Sequence, residues 1–287
     1  MAQSAAIDIL ELRAYLLQQL WTAGAYALEV QKEIRSRPAK DYDSPFAQAV
    51  TDADIAVQNF LEVSLLARFP QLRFFGEEVD QSLSMKYFST DHPWEVLVDP
   101  IDGTRFYADG RRDFNVVVSV VDSRSYQAGI IYMPGFEKCV HAVQGEPTYL
   151  AAPNEIARGE IGQVYAFPSA PRRIYCYRCP EAVTALSPHF EVIDVAEAYE
   201  RDPNCSNINA IFTGEACAFL GKGNSAIDWG VHAFLVERAG GKASTWTGAS
   251  LPEVQTLQDR SFPEMLVATS DELHSEISEL LQSGVMA

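Results

Sequence analysis

Trp94-Glu95-Val96-Leu97-Val98-Asp99-Pro100-Ile101-Asp102-Gly103-Thr104 runs from an apolar β pattern straight into Asp-Pro-Ile-Asp-Gly-Thr. Two carboxylates, Asp99 and Asp102, therefore stand three residues apart where a strand has to stop. Proline supplies no backbone donor and glycine permits a sharp turn, so the segment cannot continue its ladder unchanged. Both acids and the Thr104 hydroxyl can then converge on a small volume. Such a cluster of hard oxygen ligands suits Mg²⁺ and repels itself without a cation. A surface turn rich in Asp and Gly would share part of this composition. Upstream, Gly76-Glu77-Glu78 closes the apolar run from Leu72 to Phe75 in the same manner. Two acidic strand ends predict a metal site.

Working outward, the 287 residues suffice for two subdomains and a sizeable core, and an apolar content of 47% fits a compact globular chain. No run approaches the roughly 18 apolar residues of a membrane span. The opening Met1-Ala2-Gln3-Ser4 lacks the basic and apolar regions of a secretory signal, so a cytoplasmic chain is expected. The formal charge of −17 disfavours nucleic acid or an anionic membrane as partner. It would also repel an anionic substrate unless bound metal reversed the field locally.

Five cysteines, an odd number, fit a reducing compartment. Cys176 and Cys179 form a C-x-x-C pair without the further ligands of a zinc site and read as structural thiols. The five histidines are scattered with no H-x-x-x-H, and no G-x-S-x-G is present, so neither a zinc hydrolase nor a Ser-His-Asp enzyme is indicated.

Ile7, Leu10, Ala14, Leu17, Trp21, Ala25 and Leu28 step by three and four, predicting a long amphipathic helix that Lys32, Arg35, Arg37 and Pro38 would end. Thr51-Asp52-Ala53-Asp54 opens a second helix with Val57, Leu61, Leu65 and Phe69 on one face. Thr51 three residues before Asp54 resembles a capping box, and by itself Asp54 reads as an acid favourable to the helix dipole. Asn115–Val121 and Ala128–Met133 read as paired strands, with Glu137–Val143 continuing the sheet. Gly, Pro and Asn gather between Gly145 and Gly159, where the subdomain junction is placed. Beyond it, apolar runs (Val164–Phe167, Ile174–Cys176, Val192–Val195, Ala216–Leu220) alternate with helical stretches (Glu181–Leu186, Asp228–Ala239, Asp271–Leu281). The prediction is an α+β subdomain with an antiparallel sheet over 1–150 and an α/β subdomain over 151–287. Asp228 opens an apolar helix that Gly240 and Gly241 close; capping alone would account for an acid there.

Together these pieces resemble the inositol monophosphatase superfamily of Mg²⁺-dependent, lithium-sensitive phosphatases. Its pattern is T-x-x-D, then G-E-E, then D-P-[IL]-D-G-T-x-x-F, and late in the chain W-D ahead of a helix ending in A-G-G. Thr51 to Asp54, Gly76 to Glu78, Asp99 to Phe106 and Asp228 to Gly241 match in order and spacing, with Ile227 where the family usually has Trp. The resemblance implies a layered α-β-α-β-α sandwich, a homodimer, and metal-activated hydrolysis of a small phosphate ester. It implies that Glu77, Asp99 and the Ile101 carbonyl hold one Mg²⁺ and that Asp99, Asp102 and Asp228 hold a second. Asp54 would support a weaker third ion through water, so its reading as a mere cap acid is reversed. The 1–150 subdomain would thus carry most ligands and 151–287 would contribute Asp228. Glu77 and Thr104 would orient the attacking water, while the Gly103 and Thr104 amides cradle phosphate. Glu78 is expected to be a supporting or surface acid.

The substrate is less legible. Relatives hydrolyse inositol monophosphates, fructose 1,6-bisphosphate, histidinol phosphate or 3′-phosphoadenosine 5′-phosphate. Where inositol monophosphatases place a Glu, seven residues before Asp228, this chain has Gly221. Arg105 stands where Asn is usual and leans toward the bisphosphate nucleotidases. Arg105, Arg111, Arg112 and Lys222 could read a second phosphate or be solvated loop bases. The expectation is an inositol or sugar phosphate phosphatase, with a 3′(2′),5′-bisphosphate nucleotidase and a non-catalytic metal-binding relative as alternatives.

Overall fold

The structure, a computed structural model, describes residues 7–31, 52–82, 84–202 and 204–285. The expected helix-ending residues 32–38 and Thr51 lie outside the described residues. The chain forms two compact units, Met1–Val164 and Tyr165–Ala287.

The first unit contains α1 (Ile9–Val30), α2 (Asp52–Arg68), β1 (Arg73–Gly76), β2 (Glu95–Asp102), α3 (Thr104–Ala108), β3 (Asn115–Val121), β4 (Tyr126–Met133), β5 (Lys138–Val143), β6 (Tyr149–Ala151), α4 (Pro153–Ala157) and β7 (Gln163–Val164). The two predicted helices form as α1 and α2, which pack on each other and on β4 and β2. Val57, Leu61, Leu65 and Phe69 of α2 are buried as predicted, but the buried face of α1 runs through Leu12, Leu16, Leu20, Ala23 and Ala27. Of the expected α1 stripe only Leu17 is buried, and Leu10, Ala14, Ala25 and Leu28 are exposed, because apolar residues stand on both sides of this helix. Among the described residues the strands form a sheet in chain order, β1 to β7. Every pairing is antiparallel except β1 with β2, which is parallel and corrects the expected wholly antiparallel sheet. A parallel pair needs a crossover, and residues 77–94 supply it.

Strand alternation sorts the core. Val96 and Val98 of β2 and Val116, Val118 and Val120 of β3 join Leu12, Leu16 and Leu20 of α1 and Val57, Leu61 and Leu65 of α2 in one apolar cluster. The Gly145–Gly159 stretch does not divide the chain. It carries β6 and α4, and β7 pairs β6, so the first unit closes only after Val164. Val164 therefore ends the first sheet instead of opening a strand of the second.

The second unit contains β8 (Arg173–Tyr177), α5 (Pro180–Leu186), β9 (Glu191–Asp194), α6 (Val195–Arg201), α7 (Ala210–Thr213), β10 (Ala218–Ser225), α8 (Trp229–Arg238), β11 (Lys242–Ser244), β12 (Ser261–Ala268) and α9 (Asp271–Val285). Its sheet order is β11-β12-β10-β8-β9, with β10, β8 and β9 parallel and β12 antiparallel to both neighbours. The alternation of short apolar runs with helices is the α/β pattern the sequence predicted. Ile174, Leu220 and Leu266 of the strands meet Leu186, Ile277 and Leu281 of the helices. Cys176 and Cys179 are free and buried, as expected of structural thiols.

Candidate metal centre

The end of β2 carries an irregularity that the sequence does not show. From the pair Asp99↔Val117 to the pair Asp102↔Asn115, β2 advances three residues while β3 advances two. One extra residue against a regular partner is a β-bulge, and Pro100, which has no N–H to give the ladder, sits inside it. The bulge inverts the side-chain alternation. Ile101, odd-numbered, joins the even-numbered Val96 and Val98 in the helix-facing core, and Asp102 returns to the side of Asp99. Carboxylate oxygens of Asp99 and Asp102 consequently lie within 4.8 Å of each other.

Asp99 is buried and Asp102 half-buried. Asn115 Nδ2 donates to Asp102 Oδ2 at 2.6 Å. Burial nevertheless pushes the Asp102 carboxyl up to about 6, against the lowering effect of that bond and of one from the Gly103 backbone. Two desolvated carboxylates this close disfavour each other's charge. An oxygen-only donor set relieved by a divalent cation is the environment that Mg²⁺ takes. Asn115 carries none of the acidic chemistry that marked the site in the sequence; its place as first residue of the partner strand was the only signal.

Beyond Asp102 the chain turns sharply. Gly103 adopts φ 83°, ψ 37°, a left-handed conformation that glycine tolerates, and caps the five-residue α3. Thr104 Oγ1 donates to the Ile101 carbonyl at 3.0 Å, tying the turn to the bulge. A carbonyl oxygen has a second lone pair, so Ile101 retains acceptor capacity. Arg105 pairs with Asp109 at 3.1 Å on the rim of α3.

Glu77 follows β1 and is exposed, and its N–H donates to Val98 O at 3.0 Å, extending the parallel ladder by one residue. Glu78 is buried at 8% exposure, which corrects the surface reading. Asp54 lies in the first turn of α2 and is 2% exposed, too buried for a simple dipole-facing acid. Its charge reaches Tyr107, where burial first and Asp54 second raise the hydroxyl, which donates to Ala27 O at 2.6 Å.

Asp228 belongs to the second unit and caps α8, its Oδ1 accepting from Trp229 N at 2.8 Å. Its carbonyl accepts from His232 Nδ1 at 3.0 Å, and His232 is fully buried. Burial lowers the His232 imidazole to about 4, so it holds this capping turn as a neutral donor. Lys222 is ion-paired with Glu181 and lies 4.6 Å over the Trp246 ring, which gives its charge a partner within its own unit. Gly221 is packed by Asn224 and Trp229, whose side chains occupy the place a Cβ would take.

The inositol monophosphatase family profile matches residues 11–285. An Aquifex aeolicus protein named fructose-1,6-bisphosphatase/inositol-1-monophosphatase is 29% identical over 152 residues, covering 50% of this chain and 52% of that protein. The 3′(2′),5′-bisphosphate nucleotidase CysQ of Aggregatibacter actinomycetemcomitans is 32% identical over 100 residues, 35% of this chain and 36% of that protein. The chain is thus matched to about half and about a third of the length of these two relatives. The crystal structure of the extragenic suppressor protein suhB from Bartonella henselae superposes with a TM-score of 0.72 at 16% identity, covering 96% of this chain and 99% of that one. At that identity the likeness speaks for the fold, a layered α/β sandwich. A profile running nearly end to end, on a chain whose bulged Asp-Pro-Ile-Asp-Gly-Thr turn pairs a buried and a half-buried acid, shows that this protein belongs to the inositol monophosphatase family.

Proposed function

We propose that the chain is a Mg²⁺-dependent phosphomonoesterase that hydrolyses an inositol or sugar phosphate. The observation that carries this reading is the β2 bulge, which brings Asp99 and Asp102 together ahead of the Gly103–Thr104 turn. Glu77, Asp99 and the Ile101 carbonyl would hold one Mg²⁺. Asp99, Asp102 and Asp228 would hold a second, and Asp54 would support a third through water. Bound Mg²⁺ supplies an acidified water and neutralises charge on the phosphoryl oxygens. Thr104 donates its own hydroxyl hydrogen to Ile101 O, so its oxygen lone pairs remain to accept from a water. Glu77, exposed at the strand end, would take the other hydrogen and orient the nucleophile. The Gly103 and Thr104 amides at the start of α3 would receive phosphate oxygens, with the Gly103 amide shared with Asp102.

One observation weighs against an inositol phosphate as the ester. Asn224 and Trp229 fill the space beside Gly221, so a longer acid cannot be restored there without moving both. A contact to inositol hydroxyls from this position is therefore lost. Phosphate release from inositol 1-phosphate, fructose 1,6-bisphosphate, histidinol phosphate and 3′-phosphoadenosine 5′-phosphate, each with Mg²⁺ and with EDTA, tests the proposal. Release that EDTA removes is expected from at least one ester. No release from any of them, with Mg²⁺ bound, would leave a non-catalytic metal-binding relative.

A further inference from the structure

The segment that delivers Glu77 is held from below by a side chain the sequence did not single out. Asp54, Gln58 and Glu62 recur every four residues along α2, so they share one stripe, and all three are at most 2% exposed. Gln58 Oε1 accepts from Glu78 N at 2.8 Å while Gln58 Nε2 donates to Glu78 O at 2.9 Å. The carboxamide thus pairs with the Glu78 backbone as a neighbouring strand would, satisfying both groups at a buried residue just past the end of the sheet. Gly76 makes room for it, because a Cβ at that position would collide with the Gln58 carboxamide. One turn further along, Glu62 Oε1 accepts from Ser82 Oγ at 2.7 Å and from Ser84 N at 2.9 Å.

Glu77 is therefore fixed on both sides. Its own N–H is bonded to Val98 O, and the next residue is clamped at N–H and C=O by Gln58. Its side chain is left exposed while its backbone has no freedom to swing. We infer that Gln58 is a positioning residue for Glu77, holding the strand end so that the Glu77 carboxylate is presented to the metal in one orientation; this rests on Glu77 being the ligand proposed above. Gly76 is the second half of the same device.

The test is Mg²⁺ binding to the full-length protein by calorimetry, together with hydrogen exchange at the Glu78 amide. Gln58→Met keeps the length and removes both bonds; Gln58→Glu keeps the acceptor but sets an oxygen against Glu78 O. Glu77→Gln is expected to raise the Mg²⁺ Kd, and Gln58→Met to raise it about tenfold, the scale of losing an orienting partner. Glu78 exchange should quicken in Gln58→Met, which removes the acceptor of its N–H. Because Gln58 acts through Glu77, the Gln58→Met/Glu77→Gln double variant should bind within about twofold of Glu77→Gln alone, a failure of additivity expected of coupled residues. A folded Gln58→Met protein with wild-type Kd, or a fully additive double variant, overturns the inference. If the Met variant does not fold, Gln58→Glu and Gly76→Ala carry the same measurement with the same expected weakening. An unchanged Kd in Glu77→Gln would instead overturn the ligand reading, and the positioning role with it.

Discussion

Asp99 is the residue on which the site converges, since it is proposed to serve both principal ions and shares its face with Asp102 through a single bulge. Asp99→Asn keeps the shape and removes the charge. Phosphate release at saturating Mg²⁺ is expected to fall by more than about a hundredfold, beyond the ~10–100-fold of an outer-shell change. Near-normal turnover would remove Asp99 from the centre. Asn115 makes the complementary case. It touches Asp102 at 2.6 Å, so Asn115→Ala should free the carboxylate to rotate and weaken Mg²⁺ binding roughly tenfold while leaving the fold intact. Calorimetric titration reads that change directly, and an unaltered Kd would show that the Asp102 orientation is set by the turn alone. Both acids could be read from the sequence because they sit in a strand-ending motif of unusual composition. Asn115 could not, because its role exists only once β3 lies beside β2.

Elements were legible where their own pattern was strong and illegible where a partner decides them. The stripe of α2 and the Val-rich β3 announce themselves, since the residues that bury are spaced by the element's own period. The helix α1 announces itself too, but not its buried face, because Leu10, Tyr26 and Leu28 put apolar side chains on its exposed side. β12 does not, because Pro263 interrupts it and a proline argues against an interior strand. The structure resolves the conflict: β11 pairs only with Leu266–Ala268, so Pro263 stands where that neighbour does not reach. The bulge in β2 was hidden for the same reason, being a property of the pair and not of either strand. Close packing between elements is also unwritten, and Gly24 of α1 shows it. A Cβ there would collide with the Tyr132 ring of β4, and Tyr132 is 3% exposed with little room to yield. Helix propensity favours Gly24→Ala by about 1 kcal/mol, whereas overpacking costs about 1–3 kcal/mol. The clash should win, and urea unfolding is expected to show a loss of up to ~2 kcal/mol. A stabilised variant would mean that α1 slides on the sheet without cost.

At the scale of the whole molecule, stability is expected to fall in mild acid, and the sign depends on groups that oppose each other. His141 in the first unit and His232 in the second are fully buried, and burial lowers each imidazole to about 4 from an ordinary 6.5. The unfolded chain takes up protons near 6.5 that the folded chain refuses until about 4. Stability present above 6.5 is therefore lost as pH falls through that window. At pH 5 each histidine has removed about 2 kcal/mol, at 1.36 kcal/mol per unit of pH. Asp102 works the other way: its raised carboxyl, about 6 in the fold against 3.8, gains a proton on acidification and adds stability. Being half-buried it should return no more than about 1 kcal/mol by pH 5 once solvent screening is allowed for. The histidines outweigh it, leaving a net loss of roughly 3 kcal/mol between pH 7.5 and pH 5 in the presence of EDTA. Mg²⁺ should steepen the decline, because a bound cation competes with the Asp102 proton and acidification then releases the ion. Urea midpoints across that pH range check this, and the His141→Gln/His232→Gln variant should lose most of the slope. If the double variant kept the full acid sensitivity, the carboxylates of this strongly acidic chain would have to be its source.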